Sequence, residues 1–80
     1  MKMRRLAANQ TEVSFVGGPI VFFSYDTPVA SQLPSGRYVR TSEYYSPTTT
    51  RHINGWLRGI TNVEVVDQDF IDLLVGLTHE

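Results

Sequence analysis

The stretch Tyr44-Tyr45-Ser46-Pro47-Thr48-Thr49-Thr50-Arg51-His52-Ile53-Asn54-Gly55-Trp56-Leu57 decides where this chain changes from sheet to helix. Ser46 is a preferred N-cap residue, because its hydroxyl can accept a hydrogen bond from a backbone N–H that lacks a partner in the first turn. Pro47 suits the first helical position, where its fixed φ fits and no N–H is needed. The sequence therefore predicts a helix over about 47–59.

An apolar stripe supports this helix. Ile53, Trp56, Leu57 and Ile60 recur at the spacing of one helical face. Gly55 lies in the interior of the predicted helix, where glycine costs about 1 kcal/mol relative to alanine. Two interpretations stay open for Gly55: another backbone approaches it closely, or Asn54-Gly55 ends the helix in a turn. The completed stripe favours a continuous helix.

The residues before the helix predict a four-strand antiparallel β-meander over about 11–42, with tight turns rich in glycine and proline. The strongest strand, residues 20–25, is apolar on both faces. Such a strand is either central with both faces covered, or it gives one face to a subunit interface. The candidate interface residues are Val21, Phe23 and Tyr25, and with a chain of 80 residues we expect a homodimer.

After the helix, residues 62–66 predict a short extended segment, either a connector or an added edge strand, and residues 67–77 predict a C-terminal helix. In that second helix, the stripe Phe70, Leu73, Leu74 and Leu77 is expected to be the buried face. The whole chain, 1–80, is predicted to be one α+β domain with both helices packed on one face of the meander. Residues 1–9 are expected to form a flexible arm.

Composition excludes several classes of protein. The chain contains no cysteine, which rules out disulfides, thiolate zinc sites and cysteine nucleophiles. It has neither a signal-peptide pattern nor a stretch of transmembrane length, so we expect a cytoplasmic protein without membrane contacts.

The net charge is −1, but its distribution is uneven: basic residues dominate the first forty residues, and the last twenty contain Asp and Glu but no Lys or Arg. This asymmetry can orient a partner, or it can simply be a solvated surface that pairs internally.

Two segments resemble a known group of proteins. They are Ser24-Tyr25-Asp26-Thr27-Pro28-Val29-Ala30 and the run from Tyr45-Ser46 through Thr48-Thr49-Thr50-Arg51-His52-Ile53-Asn54. Together they resemble small uncharacterised proteins found mostly in bacteriophages and their hosts, over roughly residues 21–58. The pattern in that family is S-Y-x-T-x-[VI]-A followed by Y-S-x-T-T-x-[KR]-H-x-N. The resemblance implies a bacteriophage origin and the cytoplasm of a host cell, and it adds no catalytic residue.

The helix start is a candidate anion site, because exposed N–H groups and the positive end of the helix dipole attract phosphate. Hydroxyl, guanidinium and aromatic groups nearby would add donors and stacking. The candidate residues are Ser46, Thr48, Thr49, Thr50, Arg51 and His52, with Tyr45, Arg37 and Arg40 reaching the same region. The alternative is that Ser46 only caps the helix, the threonines pack locally and Arg51 is solvated.

No set of residues indicates catalysis. His52 and His79 are the only histidines, they lack a clustered carboxylate for a metal site, and no nucleophile-elbow context is present. We therefore expect no enzyme activity, no cofactor and no metal. The preferred hypothesis is a phage-type protein that modulates or inhibits a host factor through protein–protein contacts. The alternatives are capture of a nucleotide or phosphate ligand, or binding of nucleic acid, at the helix start.

Overall fold

Six strands form one sheet, and consecutive strands in the chain are neighbours in space. A computed structural model describes residues 1–78. The strands are β1 (Lys2–Ala7), β2 (Gln10–Ser14), β3 (Ile20–Ser24), β4 (Thr27–Gln32), β5 (Tyr38–Thr41) and β6 (Glu64–Val66), and the helices are α1 (Pro47–Trp56) and α2 (Gln68–Thr78). Strands β1 to β5 pair antiparallel, whereas β6 pairs parallel with β5, because α1 carries the chain back along the sheet.

The predicted α+β class is confirmed, but the sheet is larger than the predicted meander. Strands β2 to β5 are the four predicted strands, and the extended segment at 62–66 supplies β6. The structure also places most of the expected arm at residues 1–9 in β1, which pairs with β2 in the register Met3↔Val13. All six residues of β1 are exposed. Backbone pairing therefore forms this strand, without the apolar side-chain pattern by which strands are recognised in a sequence.

Helix α1 begins as its capping signal indicates. The Ser46 Oγ accepts a hydrogen bond from the Thr49 N–H at 3.1 Å. The helix runs through Gly55 and ends at Trp56, three residues before the predicted end, and Gly59 takes a left-handed φ of 80° in the turn that follows. A Cβ atom on Gly55 would meet nothing within 4 Å, so the helix is continuous and no neighbouring backbone approaches it.

One face of the sheet packs against α1. Phe22 and Ala30 of the sheet and Ile53 of the helix are almost completely buried there. The Trp56 ring stacks on Phe22 with a centroid distance of 5.2 Å, and its Nε1–H donates to Glu12 Oε1 at 3.0 Å. The apolar stripe of the helix and the even-numbered positions of β3 therefore build this core.

The opposite face of the sheet packs against α2. Val21, Ser31 and Val39 are neighbours in register, at most 1% exposed, and alternation places them on the face opposite Phe22. Helix α2 packs against β4 and β5, and its Ile71 is fully buried. The two helices thus lie on opposite faces, and the expectation of both helices on one face is wrong. The physical reason is that the second face of the sheet also carries apolar residues, among them Val21 and Val39, and needs its own cover.

The buried stripe of α2 also differs from the prediction. Ile71 is fully buried, whereas Phe70 is 41% exposed and Leu73 is 60% exposed. The side chain of Leu77 lies outside the described residues. Because α2 has apolar residues around more than half of its circumference, its spacing alone cannot show which of them face the sheet. The helix consequently presents a second apolar surface to solvent.

Candidate binding surfaces

A buried polar network holds the start of α1 against β3. Ser24 is 1% exposed, and its Oγ lies 2.8 Å from His52 Nδ1. The same hydroxyl donates to Thr49 Oγ1 at 3.2 Å. The network is complete when His52 carries its proton on Nδ1 and donates to Ser24. Buried polar groups must be paired in this way to avoid a desolvation penalty, so Ser24, Thr49 and His52 fasten the helix to the sheet.

Several side chains of the predicted anion site are buried or already have hydrogen-bond partners within the chain. The Ser46 hydroxyl accepts from the Thr49 N–H, and Thr49 itself is 5% exposed. The Thr48 hydroxyl accepts from the exposed Arg51 guanidinium at 3.5 Å. Thr50 is half-buried. Of the residues in the first two turns, Arg51 is thus the one that presents a charged group to solvent.

Of the more distant residues of the predicted anion site, Arg37 lies away from the helix start. Arg37 precedes β5, at the end of that strand opposite to α1, and forms an exposed ion pair with Glu64. Arg40 Nε donates to the Thr41 carbonyl at 3.4 Å. Tyr45 is close to the helix start, but partial burial and the nearby carboxylates raise the pKa of its hydroxyl. Those carboxylates, Glu43 and Asp72, also oppose the approach of an anion.

Tyr25 has an unusual backbone conformation. Its φ is 58°, in the left-handed region that costs a residue with a side chain about 1–2 kcal/mol. Its N–H donates to the Asn9 carbonyl at 2.8 Å, which ties the β3–β4 turn to the β1–β2 turn. The tyrosine ring lies 5.8 Å from the His52 ring, and the residue is 49% exposed. Glycine would adopt this backbone conformation without the strain.

Three of the four tyrosines are exposed at the same end of the sheet. Tyr25 lies in the β3–β4 turn, and Tyr44 and Tyr45 lie in the connection that leaves β5 for α1. The pairing Ala30↔Arg40 puts the end of β5 beside the start of β4, so both segments belong to one edge of the molecule. We name Tyr25, Tyr44 and Tyr45 the tyrosine end. Tyrosine combines a large apolar ring with a hydrogen-bonding hydroxyl and is enriched at protein interfaces.

Part of the sheet face opposite α1 is open. Met3, Thr11 and Phe23 lie on adjacent strands there, and Met3 is 68% exposed. Shallow grooves of about 550 and 280 Å³ run between them, with Arg5 and Asp26 at the rim. We name Met3, Thr11 and Phe23 the open shelf. Of the predicted interface residues, Phe23 belongs to this surface and Tyr25 lines its grooves, whereas Val21 is fully buried within the chain.

A further groove of about 540 Å³ lies on the α1 face, beside Trp56 and Tyr38. Its carboxylate, Glu12, accepts a hydrogen bond from the Trp56 N–H and lies 3.7 Å from the Arg4 guanidinium.

Within residues 1–78, no group of three or more His, Asp or Glu side chains could hold a metal ion. None of the described helices is long and apolar enough to cross a membrane. His79 lies outside the described residues.

The fold defines a small α+β domain built on a mostly antiparallel six-stranded sheet. Residues 1–72 match a family of unknown function (DUF8033), and the chain belongs to this family. No curated protein matches the chain, and no solved structure matches it. The expected membership of an uncharacterised family is thereby confirmed, and the matched region contains all six strands and α1.

Proposed function

We propose that this protein is a non-enzymatic binding protein that contacts another protein through the tyrosine end. The observation that supports this proposal most strongly is the left-handed backbone of Tyr25. Glycine at this position would avoid the strain, and the ring is 49% exposed although it contacts His52. An exposed aromatic ring on a rigid turn loses little entropy on binding, which is how tyrosine acts as an interface anchor.

The proposed partner is a host factor that this protein modulates or inhibits. The resemblance of residues 21–58 to small bacteriophage proteins supports this choice, and it also supports action in the host cytoplasm. The acidic C-terminal region, with no Lys or Arg after Arg58, would favour a partner with a basic rim. We further propose that the protein acts as a homodimer.

Two matched glycine variants test the role of Tyr25. Tyr25→Gly removes the ring and relieves the backbone, while Asn62→Gly makes the same kind of change at another residue with a left-handed φ, 62°. The tagged protein captures its partner from a host lysate, the partner is identified and purified, and calorimetry measures the Kd. We expect Tyr25→Gly to bind at least about tenfold more weakly, as for a central interface tyrosine. Equal affinity of Tyr25→Gly and the parent would refute the proposal.

The alternative function is capture of a nucleotide, phosphate or nucleic acid at the helix start. The observation in its favour is the exposed Arg51 guanidinium beside Thr48 in the first turns of α1. Titration with ATP, inorganic phosphate or a single-stranded oligonucleotide should then raise the melting temperature. Arg51→Ala should abolish the rise, whereas Arg58→Ala, after the end of α1, should retain it. No rise with any of these ligands would exclude this alternative.

A further inference from the structure

Helix α2 is apolar on two sides, and the sheet of its own chain covers one of them. Ile71 faces the sheet and is fully buried, whereas Leu73 is 60% exposed and Phe70 is 41% exposed. Asp69 lies four residues before Leu73, on the same exposed side. The outer surface of α2 is therefore an apolar strip next to acidic groups. In a chain of 80 residues, such a strip indicates a second contact.

The sheet face that carries α2 is only partly covered. Helix α2 packs against β4 and β5, while the open shelf on β1, β2 and β3 exposes Met3 and leaves Phe23 half-buried. The face thus has a raised part, formed by the helix, beside a lower part, formed by the shelf. A second copy turned by 180° presents the same two parts in the opposite order.

We propose that a second copy of this chain covers the open shelf, with the outer surface of each α2 lying on the shelf of the other copy. This inference deepens the homodimer of the proposed function by naming the two surfaces that meet. Each copy supplies both an α2 surface and a shelf, so the contact is symmetric and is complete with two subunits, as a twofold interface requires. Leu73 of each chain would then pack against Met3 and Phe23 of the other, so both apolar surfaces would leave water.

The charges favour this arrangement over direct packing of one α2 against the other. Helix α2 carries Asp69 and Asp72 and no base, so two such helices side by side would repel each other. The shelf lies next to Arg5, which is exposed on β1, and Asp26 is the one acid that lines the shelf grooves. A contact between Arg5 of one copy and Asp69 of the other fits these signs and should weaken as salt is added.

Native mass spectrometry and light scattering measure the oligomeric state directly. The parent chain should have twice its 9.1 kDa mass, and Leu73→Arg should be monomeric. The control is Val16→Arg, an equally large change at a loop residue that is 94% exposed and lines neither shelf groove, and it should remain dimeric. Circular dichroism confirms that each variant is folded.

A charge exchange tests the orientation of the two copies. Arg5→Glu and Asp69→Arg should each weaken the dimer about tenfold or more, and the double variant should restore it. If the double variant does not restore the dimer, the proposed contact between α2 and the open shelf is overturned. A dimer that persists in Leu73→Arg would also overturn this contact but leave the homodimer standing. A parent chain that is monomeric up to about 100 µM would overturn both. Because Tyr25 lines both shelf grooves, Tyr25→Gly is also weighed by native mass spectrometry. Weaker partner binding by a variant that remains dimeric is a loss at the tyrosine end, and it is thereby distinguished from failure of the shelf contact.

Discussion

Replacing Tyr25 with glycine and with alanine separates the strain of its backbone from the contacts of its ring. Both variants lose the ring and its contact with His52 at 5.8 Å, so this loss cancels in their comparison. They differ in the cost of a φ of 58°. A side chain in this region costs about 1–2 kcal/mol, and glycine offsets part of that through its larger unfolded-state entropy of about 0.4–1 kcal/mol. Tyr25→Gly should therefore be more stable than Tyr25→Ala by about 1 kcal/mol.

The sign of this difference is the test, because alanine is more stable than glycine at an ordinary helical position. Gly55 supplies the matched control: it lies in α1, a Cβ there meets nothing within 4 Å, and Gly55→Ala should stabilise by up to about 1 kcal/mol. Urea unfolding followed by Trp56 fluorescence measures all the variants. In a chain of this size, 1 kcal/mol corresponds to a change in Tm of about 4–8 °C. If Tyr25→Ala is as stable as Tyr25→Gly, the reasoning from backbone strain is wrong.

Further variants test three polar side chains, those of Ser24, Glu12 and Tyr45. Ser24→Ala should cost about 2 kcal/mol in urea unfolding, because it leaves the buried Thr49 hydroxyl and the half-buried His52 ring without this partner; a cost below about 0.5 kcal/mol would contradict the network. Glu12→Leu removes the acceptor of the Trp56 N–H and should cost about 1–2 kcal/mol, whereas Glu12→Gln, which retains an acceptor oxygen, should cost less. Because the pKa of Tyr45 is raised above its usual 10.0 by partial burial and nearby carboxylates, the folded state holds that proton more tightly. Its contribution to stability is thus present below about pH 10 and lost above it, and urea midpoints of Tyr45→Phe should fall less at high pH than those of the parent.

Local signals in the chain predicted much of this fold. The N-cap at Ser46, the apolar stripe that contains Ile53 and the alternation within residues 11–42 each depend on a few neighbouring residues, so they can be recognised without a structure. The same signals predicted that both faces of the strand at 20–25 need a cover. The helix start was correctly located, and the Ser46 hydroxyl caps it as predicted.

The binding surfaces depended on contacts between residues distant in sequence. Ser24 and His52 are 28 residues apart, and only the packing of α1 on β3 brings their side chains within 2.8 Å. The one local indication was that Ser24 and His52 each belong to one of the two motif segments, 24–30 and 45–54, quoted from the sequence. Arg37, conversely, is only three residues from Arg40, but the direction of β5 carries it to the far end of the strand.

Composition and short-range pattern established an α+β chain with a capped helix, no cysteine chemistry and a strand that is apolar on both faces. Tertiary structure decided which side of α2 is buried, because several sides are apolar and only the sheet selects Ile71. It also decided that β1 and β6 join the sheet, since edge strands are formed by backbone hydrogen bonds that leave little trace in side-chain pattern. The open shelf and the strained turn at Tyr25 follow from this packing and strand pairing between residues distant in sequence.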